Sequence, residues 1–385
     1  MVKSMNTRKV QTALRTVGIM TCPAAGEVPV PEKFFFRKLT LIGKELGLTV
    51  FVFFPNRIDW QRRRVVGYAY SAESGRWEKG VFPFPDAVYD RCFYSNRSTY
   101  AAYREPIRRL MSTPGIHFLG YGLKGKWNVH QMLMRDERIE PFLPETERLQ
   151  DTNDIARWLD GKGELFLKPQ GGSHGKGVLR IQKIPNGFGV TGRTSRNEPV
   201  CYDFRSSRRM LDWVRQFTDG RPYLIQRYLH LNTASGDAFD IRALMQKNRK
   251  GLWELTGLAV RQGAPGSVTS NLHGGGHAEE AKPYLGRLYG DAAGDILETV
   301  KTLAQRVPEV LEQHHGRLVE LGVDIGVDTD GSVWLLEANS KPGRSAFAAL
   351  PGKQASLAAV RNPMLYAKYV LDTRKGVPAR QSASL

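Results

Sequence analysis

Residues 321–343 read LGVDIGVDTDGSVWLLEANSKPG. Asp330-Gly331, set between two alternating apolar runs, predicts a two-residue hairpin turn. Counting outward pairs Thr329 with Ser332, Asp328 with Val333, Gly326 with Leu335 and Asp324 with Glu337. Asn339 lies two residues past Glu337 and so shares its face. Opposed side chains have Cβ atoms about 5 Å apart, and like charges there repel. A shared proton would relieve Asp324 and Glu337. A divalent cation does so better: two carboxylates and an amide oxygen are hard ligands suited to Mg²⁺, which keeps waters and binds substrate phosphates. The run VWLLEAN is too apolar for a fully exposed strand, which argues against scattered solvent-facing acids. Asp328, nearer the turn, reads as solvated.

A second stretch suits phosphate. LKPQGGSHGKGVLRI, 167–181, carries four glycines in the seven residues 171–177, a lysine at 168 and another at 176. It is no P-loop, because Gln170 stands at the first glycine position and Gly177 where Ser or Thr belongs. The alternation of Val178–Ile181 instead predicts a glycine-rich turn between two strands. Its backbone N–H groups, with Lys168 on the preceding strand, could cradle a polyphosphate. Mg-ATP is the ligand that satisfies both stretches.

Several elements must position these residues. "VGIMTC" (17–22), a helical repeat from Pro31 to Leu46 and the apolar run Leu48–Phe54 predict strand–helix–strand and a parallel sheet. A strand at 86–93, a helix at 98–111 and a strand at 116–120 complete an α/β domain over 1–120. "GYGLKGK" (120–126) is a joint, followed by a helix from Trp127 to about Arg135. Asp151 or Asn153 caps the next helix. "ELFLK" and "VLRI" flank the glycine loop, "SSRRMLDWVRQF" is helical, and "YLIQRYL", "DIRALMQ" and "WELTGLAVRQ" are strands. A long helix covers roughly Ile296–Leu321, with Pro308 as a possible kink. The remainder is an α+β body behind the α/β domain.

The chain of 385 residues carries 56 Lys and Arg against 38 Asp and Glu, a net charge of +18 that attracts anions. Basic clusters stand at Arg62–Arg64, at Arg104, Arg108 and Arg109, and at Arg205, Arg208 and Arg209. Each alone reads as a solvated face. No motif accompanies them that would specify a nucleic acid. No apolar run approaches the roughly 20 residues of a membrane span. No secretory signal is read at the N-terminus, and Cys22, Cys92 and Cys201 are too few and scattered for a disulfide framework or zinc site. A cytoplasmic setting is expected. His273 and His277 flank Gly274–Gly276, a run unsuited to a helix, so zinc is not expected there; His174, His314 and His315 read as surface residues.

In combination, these motifs resemble the ATP-grasp superfamily in its RimK-type glutamate ligase and glutathione synthetase branch. The D…E-x-N hairpin with "SKPG" resembles the metal-binding signature, "LKPQGGSHGKGV" the lid loop, and "FDIRALM" with "AVRQGAPGSVTSNLHGGG" the RimK-type segments. These cover about 116–350. Through "FFFRKLTLIGKELG" and "VYDRCFYSN", the whole chain is similar to the YheC/YheD endospore coat-associated family.

The resemblance implies an α/β N-terminal domain (1–120), then an α+β ATP-grasp fold with a lid or first subdomain (121–225), a second subdomain with the metal site (226–372) and a tail (373–385). It implies ATP and Mg²⁺. Lys126 and Lys168 would contact phosphates, and Gly171, Gly172, Ser173, Gly175 and Gly177 would close over them. Gln226, with Arg227, Tyr228 and Leu229, would meet adenine, and Asp240 the ribose. Arg242, Arg261 and Asn271 would serve phosphoryl transfer. Ser270, Gly274, Gly275, Ser340, Lys341 and Gly343 would line the substrate site, and Asp324, Glu337 and Asn339 would hold the metal.

Two departures stand out: Gln-Arg in the hinge where an acid is usual, and Thr269 where RimK-type enzymes tend to carry arginine. The implied activity is an ATP-dependent carboxylate–amine ligase joining an acidic or peptide-like carboxylate to an amine through an acyl-phosphate. The alternative is a non-enzymatic protein of the spore coat that keeps an ATP-binding fold. No specific nucleic acid or membrane partner is expected; spore-coat proteins are.

Overall fold

The computed structural model describes residues 15–94, 96–172, 175–233, 235–264, 270 and 275–373. The chain divides into two compact units. The first contains the described residues up to Gly120, with Asn248–Leu252 and those from Val360 onward. The second comprises Tyr121–Lys247 and Trp253–Ala359.

The first unit is α/β. Its elements are β1 (Arg15–Met20), α1 (Lys33–Glu45), β2 (Leu48–Asp59), β3 (Arg64–Ser71), β4 (Arg76–Pro83), β5 (Ala87–Asp90), α2 (Arg97–Met111) and β6 (His117–Phe118). The sheet order is β4-β3-β2-β1-β5-β6, with β1 parallel to β2 and β5, and β5 parallel to β6. α1 buries Phe36, Leu39, Thr40 and Gly43. Gly43 is required where it lies, since a Cβ there would stand 2.2 Å from Val50 Cγ2. The antiparallel strands β3 and β4 are additions to the sequence reading. Arg62 and Arg63 lie in the turn into β3, which Arg64 begins: Arg62 pairs with Asp59, and Arg63 adopts φ 50° with its guanidinium 4.9 Å from the Phe84 ring centre.

The second unit is built on two antiparallel sheets. It starts with α3 (Lys126–Leu133), β7 (Thr146–Arg148), α4 (Thr152–Lys162), β8 (Glu164–Pro169), β9 (Leu179–Ile184), β10 (Gly187–Arg193), β11 (Pro199–Phe204), α5 (Ser207–Thr218) and β12 (Tyr223–Gln226). These strands form a sheet of order β11-β10-β9-β8-β12-β7. Asp151 caps α4 in a reciprocal arrangement with Asp154. α4 and α5 pack Ile155, Trp158, Met210 and Val214 against Leu165, Leu167, Ile181 and Val190.

β13 (Phe239–Lys247), β14 (Trp253–Gln262), β15 (His277–Glu280), α6 (Ala281–Tyr289), α7 (Ala293–His315), β16 (Glu320–Val327) and β17 (Val333–Asn339) follow, then α8 (Ser345–Ala348) and α9 (Lys353–Thr373). The second sheet has the order β15-β14-β13-β16-β17. α7 covers one face of it with Ile296, Val300, Leu303, Val307 and Leu311. The helix passes through Pro308 but ends at His315, short of the expected Leu321, because Glu320 and Leu321 already belong to β16. Among the described residues no helix is long and apolar enough to cross a membrane.

Candidate active site

The second sheet separates its two faces cleanly. On β13, Phe239, Ile241, Ala243 and Met245 enter the core, so Asp240, Arg242 and Gln246 point the other way. Register then aligns charges across four strands. Asp240 lies opposite Arg261 of β14, Arg242 opposite Asp324 of β16, and Asp324 opposite Glu337 of β17. Asn339 pairs with Gly322, one step further on the same face. Gly322 leaves room there, because a Cβ would lie 3.0 Å from Pro342 Cβ and 3.2 Å from an Arg242 nitrogen.

The predicted repulsion between Asp324 and Glu337 is relieved by cations of the chain itself. Arg242 grips Asp324 through Nε and, at 2.9 Å, through Nη2. Arg261 Nη2 reaches the same carboxylate at 3.1 Å, and the guanidinium forks onto Asp240 through Nε at 2.6 Å and Nη2 at 2.5 Å. Burial works to raise the Asp324 pKa, but the two guanidiniums outweigh it and the carboxyl is held low. Burial likewise opposes the charge of Arg261, and Asp324 and Asp240 overcome it. Asp240, read from the resemblance as a ribose contact, is thus engaged by Arg261 and by the Ser270 hydroxyl, which donates to it at 2.5 Å.

The first sheet and α3 supply the facing cations. Lys168, on β8, donates to Gln226 Oε1 at 3.0 Å, and Gln226 Nε2 donates to Thr146 at 2.7 Å. Burial pushes the Lys168 ammonium down to about 8; nearby Lys126 adds to this and Glu337 opposes it. Lys126 opens α3. Its Nζ donates to the Gly172 carbonyl at 2.9 Å and stands 3.4 Å from Glu337 Oε1, so it ties the glycine loop to the acidic strand. One turn along, burial and Lys168 hold His130 down at about 4. His130 stacks on Trp127, at 5.6 Å between ring centres. Neither residue was singled out in the sequence, and no motif flags them.

The glycine loop joins β8 to β9, with Gly172, Gly175 and Gly177 at φ 101°, 64° and 71°. Gly171 and Lys176 are exposed, and Gly177 is fixed by Thr194 and by the Tyr223 hydroxyl, which donates to its carbonyl at 2.9 Å. In the hinge, Arg227 N–H already donates to the Glu145 carbonyl at 2.9 Å, so a base edge could use only its carbonyl. Tyr228 lies under the Arg180 guanidinium at 4.1 Å, and Leu229 is buried. Ser173, Asn271 and Gly274 lie outside the described residues; Gly275 adopts φ 93°.

After Asn339, Ser340 Oγ accepts the Leu123 N–H at 2.9 Å, and Lys341 passes beside Gly122. Gly343 leads into Arg344, which the sequence reading passed over although it directly follows "SKPG". Arg344 donates to Glu320 at 2.5 Å, to the Ala359 carbonyl at 3.1 Å and to the Pro342 carbonyl at 3.0 Å. Glu320 is fully buried and also accepts from Gln246. This network pins the loop that follows the acidic strand.

Four cations, Lys126, Lys168, Arg242 and Arg261, thus surround three carboxylates, Asp240, Asp324 and Glu337. Such a cluster can take a polyanion together with a divalent cation. Among the described residues no three His, Cys, Asp or Glu side chains form a metal cluster. Two carboxylates and an amide, Asp324, Glu337 and the half-buried Asn339, share one face there and are oxygen donors of the kind Mg²⁺ takes, although both Asp324 oxygens already accept from Arg242.

The fold is that of ATP-grasp proteins. D-cycloserine synthetase DcsG superposes with a TM-score of 0.52 at 14% identity, covering 93% of this chain and 99% of that one. D-alanyl-alanine synthetase A from Vibrio cholerae O1 biovar eltor str. N16961 gives 0.51 at 13% identity, covering 92% and 99%. Residues 115–370 match the YheC/D-like ATP-grasp family, and the chain belongs to it. Endospore coat-associated protein YheD of Bacillus subtilis (strain 168) is 31% identical over 337 residues, 86% of this chain and 73% of that protein. Endospore coat-associated protein YheC of the same strain is 29% identical over 353 residues, 91% and 96%.

Proposed function

We propose that this chain is an ATP-dependent carboxylate–amine ligase acting through an acyl-phosphate, with Mg²⁺. The supporting observation is the facing of Lys126 and Lys168 with the row Arg261, Asp240, Arg242, Asp324 and Glu337. In the first step a carboxylate oxygen of the acid attacks the γ-phosphorus. The bond from that phosphorus to the β–γ bridging oxygen breaks, leaving acyl-phosphate and ADP. In the second, the amine nitrogen attacks the carbonyl carbon, the carbon–oxygen bond breaks, phosphate leaves, and the amine proton passes to solvent.

This chemistry needs no protein nucleophile; it needs positioning and charge neutralisation. Lys168 and Lys126 bind phosphate oxygens. Arg242 and Arg261 steady the transferring group and the acyl-phosphate. Gln226 and the hinge at 227–229 take adenine. The loop of Gly171–Gly177 closes over the phosphates, and Ser340–Gly343 borders the acid. Asp324, Glu337 and Asn339 would hold Mg²⁺, which when bound neutralises phosphate oxygens. The acid is acidic or peptide-like, in keeping with the basic chain. The test is release of ADP and phosphate that requires Mg²⁺, a carboxylate and an amine together, with the joined product identified by mass. No nucleotide binding, and no turnover across a broad acceptor panel, would sink the proposal.

The names of YheC and YheD favour a second reading, a coat-associated assembly role that keeps the nucleotide fold. Under it, Glu337→Gln would leave the cellular phenotype unchanged.

A further inference from the structure

β11 is the terminal strand of its sheet. Its backbone shows which groups are unused by that sheet. Thr194 N–H donates to the Glu198 carbonyl, so in the β10–β11 ladder Val200, Tyr202 and Phe204 turn their N–H and C=O groups to β10. Pro199, Cys201 and Asp203 turn theirs outward. Pro199, which has no N–H, falls on this open side, where a proline costs the sheet nothing.

Side chains beside this edge are unusual for a surface. Tyr202 is 52% exposed, and its ring lies 5.3 Å from that of Trp213 on α5. Phe204 and Phe217 extend the row, at 5.9 and 5.2 Å from Trp213. Directly after β11 come Arg205, Arg208 and Arg209, all exposed. None of the three has an acidic partner among the described residues, whereas Arg215 on the same helix pairs with Asp212.

We propose that the β11 edge docks an extended acidic peptide of another protein, which adds as a further strand. Main-chain bonds to Cys201 and Asp203 would hold it, alternate apolar side chains would lie against Tyr202 and Trp213, and its acids would meet the three arginines. Charge selects this occupant. The segments outside the described residues at either end, 1–14 and 374–385, carry lysine and arginine but no acid, and a second copy of a chain at +18 repels the first. A nucleic acid would use the arginines and rings but not the outward peptide groups of the strand.

The test is fluorescence anisotropy with the full chain and three labelled probes: a peptide alternating glutamate and valine, its lysine–valine counterpart, and single-stranded oligothymidine. The glutamate–valine peptide is expected to bind, and the lysine–valine peptide not to. Arg205→Glu/Arg208→Glu/Arg209→Glu is expected to weaken binding by roughly tenfold or more. Asp203→Pro separates strand addition from mere attraction. It removes a negative charge but also the outward N–H, so strand addition predicts loss and simple electrostatics predicts gain. Circular dichroism and melting confirm that each variant is folded. Oligothymidine binding as tight as the peptide, Asp203→Pro without loss, no binding of the glutamate–valine peptide, or a dimer abolished by Asp203→Pro would each overturn the proposal.

Discussion

Asp324 lies directly opposite Glu337, yet the hairpin joining their strands is not the one counted from Asp330-Gly331. Asp328 N–H donates to the Ser332 carbonyl, so three residues rather than two form the turn. Gly326 therefore faces Trp334, not Leu335, and Asp328 meets Ser332, not Val333. A bulge at Leu336 restores the register before the acids are reached. The two irregularities offset each other.

The two acids are expected to separate stability from binding. Asp324→Ala leaves Arg242 and Arg261 short of a buried partner and is expected to cost about 3–5 kcal/mol in denaturant unfolding. Glu337→Gln loses only Lys126 at 3.4 Å and is expected to cost under about 1 kcal/mol. By calorimetry, Glu337→Gln is expected to weaken ATP binding in Mg²⁺ by roughly tenfold or more. Equal effects of both substitutions on unfolding would contradict this division.

Lys168 gives the site a pH dependence of defined sign. Its folded pKa, about 8, lies below its ordinary value of 10.5. Between these values the unfolded chain binds a proton that the folded chain lacks, so this residue makes stability rise with pH there. Below about pH 8 the buried charge is a full penalty. Lys168→Met is therefore expected to raise the melting temperature of the nucleotide-free protein at pH 7, with the gain shrinking towards pH 10. ATP affinity is expected to fall as pH rises through about 8, and Lys168→Met to weaken binding and flatten that profile. A melting temperature lowered at pH 7 would refute the assignment.

Gln226→Glu places a carboxylate where the Lys168 ammonium now donates to an amide, 3.0 Å away. It is expected to raise the Lys168 pKa and move the decline in ATP affinity to higher pH. An unchanged midpoint would show that Gln226 does not govern Lys168.

Arg344 is a positioning residue for Ser340–Gly343. Arg344→Ala leaves Glu320 buried without its guanidinium and is expected to cost about 3–5 kcal/mol. Arg344→Lys keeps the charge but not the three-way contact. It is expected to raise KM for the carboxylate substrate several-fold with ATP affinity unchanged. A fall in ATP affinity instead would assign Arg344 a general structural role.

The sequence made the elements around the site legible where pattern and capping agreed. Asp151 ahead of a helix, the apolar runs of β2 and β13, and the D–E–N spacing were all readable. β3 and β4 were not, because "RVVGYAYS" and "RWEKGVFP" carry glycine and charge where strands usually carry apolar residues. β10 was hidden the same way, by Gly187, Gly189 and Gly192, and β11 by a proline at its start and the charge of Asp203. The ion pairs were illegible for a different reason. Asp240 meets Arg261 across 21 positions and Arg242 meets Asp324 across 82, and side-chain partners at such separations follow from strand register alone.

The bulge at Leu336 decides which way the hairpin tip is turned. An unbroken ladder running outward from Asp324 and Glu337 would send Leu335 and Val333 to the charged face and Trp334 into the core. With the bulge, Val333 and Leu335 are buried, and Trp334 sits 5.2 Å below the Arg227 guanidinium. Leu336 is thus an insertion whose removal would leave a regular strand with every other side chain on its present face. A chain lacking Leu336 is expected to keep the acidic pair aligned and to bind ATP as before. The strand that carries the metal-binding candidates can therefore be shortened by one residue without losing its alignment, a form of slack that point substitutions would never reveal.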